Sequence, residues 1–329
     1  MTSRLGLVAF VLVAAAGCSP NLPTASADVD LPEQSEVPSP SPSTESTPGS
    51  ADPKPLVVAG RMAFSSEAST GNEDVYSVEL GRGGSSAAPV RLTTSEDREF
   101  DPDISPDGRS IAFRLNPDVT SDHADIWVMA ADGSGPSNLT NAPELDNWSP
   151  AWSPDGSRIA FASTRDGGTL SVWTMDGQGA DVQRVTREHG EYPDWSPQGD
   201  RIVYAAPPSG SGRYDLWIVP ADGAGEPVRL TDDPGTQFGP AWSPDGRWIA
   251  YQSEIGERWE VWIIRADGTG ARRVTPEGED GVWPAWSPAG LLAWSGPGGI
   301  HVADVDSGAN QTLGVEDELL GPAFLSWTR

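Results

Sequence analysis

The chain has 329 residues, with 48 Asp and Glu against 21 Lys and Arg, a net charge of −27, one Cys, three His, 14 Trp, 37 Gly and 31 Pro. So negative a chain is not built to bind nucleic acid, which requires cations to meet phosphates. The single cysteine excludes an internal disulfide framework, and the Gly and Pro content excludes a helical bundle.

In chain order, residues 1–17 read as a secretory signal. Arg4 supplies a short basic region, and residues 5–16 form an apolar run. That run is too short to span a bilayer, which needs about 20 residues. It ends in Ala15-Ala16-Gly17-Cys18, which resembles the lipobox of bacterial lipoproteins. The resemblance implies cleavage before Cys18 and a diacylglycerol on its thiol, hence attachment to a membrane of the cell envelope, outside the cytoplasm. Residues 18–55 are rich in Pro, Ser, Thr and acids and offer almost nothing to bury. They are expected to form a disordered tether.

Residues 56–329 are repetitive. Ser-Pro-x-Gly units recur at Ser105, Ser153, Ser196, Ser243 and Ser287, each three residues after a proline: Pro102, Pro150, Pro193, Pro240 and Pro284. A large apolar residue precedes each serine: Ile104, Trp152, Trp195, Trp242 and Trp286. A second strand follows each unit, as in Ile159-Ala160-Phe161, then a third, as in Val172-Trp173. An Asp-Gly turn and a short fourth strand complete most repeats, with Arg91-Leu92-Thr93, Asn138-Leu139-Thr140, Arg184-Val185-Thr186, Arg229-Leu230-Thr231 and Arg273-Val274-Thr275 as the fourth strands. Asp-Gly between apolar runs is a hairpin signal. Four antiparallel strands recurring at this spacing predict an all-β fold, a six-bladed β-propeller. The first repeat lacks an opening strand, and Pro322-Ala323-Phe324 is expected to supply it from the C-terminus. Joining the two ends in one blade closes the ring and removes open sheet edges.

The stretch from Pro150-Ala151-Trp152-Ser153-Pro154-Asp155-Gly156 to Met175-Asp176-Gly177, and Pro240-Ala241-Trp242-Ser243-Pro244-Asp245-Gly246, resemble the TolB-type propeller repeat. The resemblance implies a propeller over the whole domain and a partner-binding scaffold. The same repeat occurs in propellers of prolyl-oligopeptidase-type peptidases. The chain departs from TolB in having a lipobox and tether in place of an N-terminal α/β domain.

Residues present in most repeats serve the fold, so Asp107, Asp155 and Asp245 are read as turn residues and the repeated tryptophans as core between blades. Function is expected where repeats differ, in the irregular crossings between blades. These carry Glu96, Asp97, Glu99 and Asp101, then Glu144 and Asp146, Glu188 and Glu191, Asp232 and Asp233, Glu277, Glu279 and Asp280, and Glu316, Asp317 and Glu318, with Arg98 and Arg187 as the only cations. Aromatics stand where crossings enter the next strand: Phe100, Trp148, Tyr192, Phe238 and Trp283. The candidate partner-binding face is therefore Glu96, Asp97, Asp101, Trp148, Tyr192, Asp232, Asp233, Phe238, Asp280 and Trp283, and its expected occupant is a protein or other ligand. Two rivals stand beside this reading. One is a hydrolase or lyase centred on the channel and acting on extracellular sugar or peptide; the other is a calcium-dependent sensor. His123, His189 and His301 fall in different repeats with no partner at metal-ligand spacing, and no Gly-x-Ser-x-Gly elbow occurs. Calcium takes six to eight oxygen ligands. Without a contiguous loop, its site has to be assembled from several blades, and no catalytic residue or cofactor is assigned.

Overall fold

The computed structural model describes residues 56–67, 72–81, 87–117, 123–313 and 324–328. The signal, Cys18, the tether, Glu316, Asp317, Glu318, Pro322 and Ala323 lie outside the described residues. Those described form six four-stranded antiparallel sheets, the six blades of a propeller. The innermost strands are Leu325–Trp327 in blade 1, Arg98–Ile104 in blade 2, Asn147–Trp152 in blade 3, Glu191–Trp195 in blade 4, Gln237–Trp242 in blade 5 and Val282–Trp286 in blade 6. Each touches the next and the last touches the first, so they ring a central channel.

The ring closes as the sequence implies, three residues later than expected. The closing strand pairs Leu325 with Phe64, Ser326 with Ala63 and Trp327 with Met62. Phe324 ends up outside the strand. The hydrogen bonds set the register. Trp327 Nε1 donates to the Ala59 carbonyl (3.3 Å), and the Ser326 hydroxyl donates to Asp103 (2.8 Å) while accepting from the Ile104 amide (3.0 Å).

Every opening strand from blade 2 to blade 6 is broken by a bulge at its X-Pro pair, as between Phe100 and Asp103 or Phe238 and Ala241. The proline sits where the ladder needs no N–H donor, which is why it recurs. The residue before it is left-handed in all five: Asp101 (φ 50°), Ser149 (52°), Tyr192 (50°), Gly239 (56°) and Trp283 (53°).

Six buried apolar clusters hold the blades, one at each blade interface. Trp195, for example, packs with Val172 and Val185 of blade 3 and Tyr204 of its own blade, and Trp152 packs with Ala112 and Ile126 of blade 2. The recurring tryptophans are thus core, each contributing several kcal/mol. Their polar edges alternate with the preceding blade. After Ala151 and Ala241, the indoles of Trp195 and Trp286 donate to those alanine carbonyls (3.1 and 3.0 Å). After Asp103 and Asp194, the backbone amides of Trp152 and Trp242 donate to the carboxylates instead (2.7 and 2.6 Å), and their indole N–H groups have no partner among the described residues.

The Ser-Pro-Asp-Gly turn explains its own residues. Ser153 Oγ donates to Asp155 (2.6 Å) and accepts from the Arg158 amide (2.9 Å), while Asp155 also accepts from the Ser157 amide (3.0 Å). Asp107 and Asp245 repeat the pattern. Hydrogen bonds from Ser153 and the Ser157 amide hold the Asp155 carboxyl below its ordinary range. The fourth strands begin one residue earlier than expected, as Val90–Arg91, Ser137–Asn138, Gln183–Arg184, Val228–Arg229 and Arg272–Arg273. Most of the threonines beyond them cap the neighbouring strand instead. Thr93, Thr140, Thr186 and Thr231 accept the first free amide of the third strand through Oγ1 (2.9–3.1 Å).

Candidate binding site at the channel mouth

An up-and-down blade puts its first and third turns on one face and its second turn and outgoing crossing on the other. The Ser-Pro-x-Gly and Asp-Gly turns share the first face, and the left-handed residues lie at the channel end nearest the second. The inner strands enclose a cavity of about 450 Å³, running from Asp101, Ser149, Tyr192, Gly239, Trp283 and Phe324 to the prolines of the Ser-Pro turns.

The mouth has two unlike halves. On the aromatic side, Tyr192 contacts Trp283 (centroids 5.4 Å apart) and Phe238 (5.8 Å). Trp283 lies 3.8 Å from Phe324, and Phe238 also meets Tyr214 (4.5 Å) and Trp259 (6.0 Å). All six rings are half-buried. Gly239 makes room for this contact: a Cβ there would stand 3.2 Å from the Trp283 ring. Behind it, Tyr214 donates to Glu191 (2.9 Å), which also meets His189 Nε2 (2.6 Å). Burial, then the Asp101 and Glu191 carboxylates, push the Tyr192 phenol well above its usual pKa.

On the polar side, Arg114 stacks on Phe100 (4.3 Å) and Trp148 (5.5 Å) and stands 3.6 Å from Asp101 Oδ2. That oxygen also accepts from the amide and hydroxyl of Ser149 (3.3 and 3.4 Å). Asp101 is 7 % exposed, and its Oδ1 has no hydrogen-bond partner among the described residues. Burial raises its pKa, against the pull of Arg114 and Ser149.

The expected face thus divides in two. Asp101, Trp148, Tyr192, Phe238 and Trp283 come together at or beside the mouth. Glu96, Asp232, Asp233 and Asp280 stand exposed on the crossings, and Asp97 is half-buried there. Two other crossing acids turn inward, Glu99 accepting from Thr93 and Ser95 and Glu191 meeting His189, while Asp146 meets His123 at the surface. The crossing face also receives cations from second-to-third turns, since Arg213 and Arg258 donate to the Pro234 and Gly278 carbonyls. The sequence reading missed Arg114, Tyr214, Trp259 and Phe324. Arg114 was visible as the one charged residue at a site that is Ala162, Ala205, Gln252 or Ser295 in other blades. The aromatics also form two classes that were read as one. Glu99-Phe100-Asp101, Asn147-Trp148-Ser149 and Gln237-Phe238-Gly239 carry the ring before the left-handed residue, whereas Gly190-Glu191-Tyr192 and Gly281-Val282-Trp283 carry it at that residue.

A model of the TolB beta propeller domain matches residues 90–210 and 188–317. The chain belongs to this family. Its TolB-type propeller is 28 % identical over 184 residues to the uncharacterized peptidase YuxL of Bacillus subtilis, a match covering 56 % of this chain and 25 % of that protein. It is 37 % identical over 130 residues to the Tol-Pal system protein TolB of Anaeromyxobacter dehalogenans, covering 39 % and 29 %. The crystal structure of TolB from Acinetobacter baumannii superposes with a TM-score of 0.67 at 20 % identity, covering 82 % of this chain and 66 % of that one, which shows a shared fold. The matched region is well under two-thirds of the length of either named relative. Among the described residues, no cluster of three or more His, Cys, Asp or Glu is placed to hold a metal ion.

Proposed function

We propose that this protein is a lipid-anchored, extracytoplasmic, non-catalytic binding propeller that holds a protein partner at the mouth of its channel. The observation that carries the reading is the ring of left-handed residues. Gly239 shows that glycine meets the backbone requirement. Asp101, Ser149, Tyr192 and Trp283 nevertheless keep side chains there, in a conformation costing roughly 1–2 kcal/mol each. Such strain is retained where the side chains are needed. A half-buried aromatic centre with a polar rim has the anatomy of a protein-binding hot spot. The lipobox-like Cys18 and the Pro/Ser-rich tether support an anchored position outside the cytoplasm. The TolB relatives support a scaffold. The peptidase-named relative is matched over only a quarter of its length, so its named activity gives no ground for catalysis here.

The test is photo-crosslinking in intact cells, with the reactive residue placed at Trp283, which lines the mouth, or, as control, at Glu226 on the tight-turn face. The expected result is a discrete protein adduct from position 283 that is missing from position 226. Identical adducts from both positions, or none from position 283, overturn the proposal.

A further inference from the structure

The crossings around the mouth expose Glu96, Asp232, Asp233, Glu277, Glu279 and Asp280. None of these six forms an ion pair among the described residues. The tight-turn face is acidic too, but its carboxylates are engaged: Asp107, Asp132, Asp155, Asp245 and Asp267 each accept a backbone amide of their own turn. The two faces therefore differ in what their charges do. One set shapes loops; the other, although Asp280 accepts the Trp259 amide (3.2 Å), forms no ion pairs among the described residues and leaves a negative field around an apolar centre. That field repels itself, and a positively charged ligand relieves it.

Two further observations bear on the ligand's shape and depth. The cavity behind the mouth, about 450 Å³, is in the range of small-ligand pockets and is walled by six inner strands. It admits side chains or a few residues of extended chain, not a folded element. Asp101, more than nine-tenths buried, is among its lining residues, and its Oδ1 is covered and has no hydrogen-bond partner among the described residues. Its other oxygen faces Arg114, so the charge of this carboxylate is already met. What Asp101 Oδ1 lacks among the described residues is an N–H or O–H donor, while the six rim carboxylates lack ion-pair partners there, the nearby Arg213 and Arg258 side chains being held on backbone carbonyls.

We infer that the partner segment taken by the mouth is extended and basic. Its Lys or Arg residues lie over the crossing-loop carboxylates, an apolar side chain packs on the Tyr192–Trp283 rings, and a hydrogen-bond donor reaches Asp101. This inference rests on the proposed use of the mouth and adds the chemistry of the partner.

The experiment is fluorescence anisotropy on the full chain with two labelled peptides. In one, four arginines flank a tryptophan; in the other, glutamines replace the arginines. Three variants are compared with wild type. The rim triple is Asp232→Asn, Asp233→Asn and Asp280→Asn. A charge-matched control triple, Asp222→Asn, Glu226→Gln and Asp267→Asn, lies on the tight-turn face. The third is Trp283→Ala. The expected result is that the arginine peptide binds more tightly than the glutamine peptide and weakens as NaCl rises from ~0.05 to ~0.5 M. It loses roughly tenfold in the rim triple and less than about twofold in the control, as expected for three nearby charges. Trp283→Ala weakens both peptides. Equal losses in the two triples, or equal binding of the two peptides, overturn the inference. If equal binding is still abolished by Trp283→Ala, the mouth survives as a binding site and only the basic character fails. If neither peptide responds to Trp283→Ala, the mouth itself is refuted.

Discussion

Glu99 gives the most demanding test of how this fold is held. Its carboxyl is 1 % exposed and accepts from the hydroxyls of Thr93 (3.2 Å) and Ser95. No cation is paired with it among the described ion pairs. Burial, then the neighbouring Asp74 and Asp97 carboxylates, outweigh the two hydroxyls and raise its pKa from 4.5 to about 7. The folded state therefore holds a proton that the unfolded chain releases, and stability falls as pH rises from about 4.5 through about 7. At 1.36 kcal/mol per pH unit, full ionisation costs about 3 kcal/mol. The sibling positions show the remedy: Asn147 and Gln237 occupy the same place in blades 3 and 5, both fully buried and hydrogen-bonded. Glu99→Gln should be nearly neutral at pH 5 and should stabilise by roughly 2–3 kcal/mol at pH 8, raising Tm by about 4–8 °C for a domain of this size. Thermal and urea unfolding at both pH values check this. A variant destabilised equally at pH 5 and pH 8 refutes the reasoning, because it shows that the carboxylate is bound in its ionised form.

Three further outcomes follow from the geometry. Gly239→Ala should destabilise by roughly 1–2 kcal/mol, because the position is left-handed, and should shift tryptophan emission as Trp283 is displaced; an unchanged spectrum contradicts the described packing. Trp195→Phe should cost about 1 kcal/mol more than Trp242→Phe in urea unfolding, since only the Trp195 indole makes a hydrogen bond, and equal losses would show that the alternation has no energetic content. Asp155→Ala should lower stability by about 1 kcal/mol at pH 7 and leave partner capture at the mouth unchanged. Its carboxyl pKa is lowered in the fold, so that contribution is complete above the ordinary carboxylate range and fades as pH falls through the lowered pKa, where wild type and variant converge.

The fold was legible because each repeat states the same physics again. The Pro at the bulge, the large apolar residue between blades and the Ser-Pro-x-Gly turn recur five times with their spacing intact, and Trp327 supplies the sixth interface, which closes the ring. The closing strand was misplaced because Pro322-Ala323-Phe324 mimics the repeat in sequence, whereas Ser326 and Trp327 make its hydrogen bonds. At the site, local pattern found the aromatics of the crossings but not what a neighbouring strand or the far terminus brings. Arg114 reaches the mouth from a second strand and Phe324 from the C-terminus. Composition also failed to separate the carboxylates. Glu99 and Asp232 look alike as crossing acids, yet one anchors a loop from within and the other stands in solvent.

That last distinction follows from how the blades differ. In blades 2, 3 and 5 the residue two before the left-handed position is a buried polar anchor, Glu99, Asn147 or Gln237, and the ring follows it outside the channel. In blades 4 and 6 the anchor is glycine. A Cβ on Gly190 would come within 2.9–3.0 Å of Val172 and Tyr204, and one on Gly281 within 2.5–2.8 Å of Thr275 and Trp294. Neighbouring side chains fill the anchor's space there, and the ring moves one residue on, into the left-handed position. One residue along a bulged strand thus decides whether an aromatic packs behind the mouth or lines it. Tyr192 and Trp283 line it, and Gly239 between them lets Trp283 lean across to meet Tyr192. Tyr192→Ser, which gives blade 4 the left-handed serine that blade 3 carries at Ser149, should keep the propeller folded while removing one wall of the aromatic arc. Retained stability with lost partner capture is the result that separates what this sequence uses to close a ring from what it uses to bind.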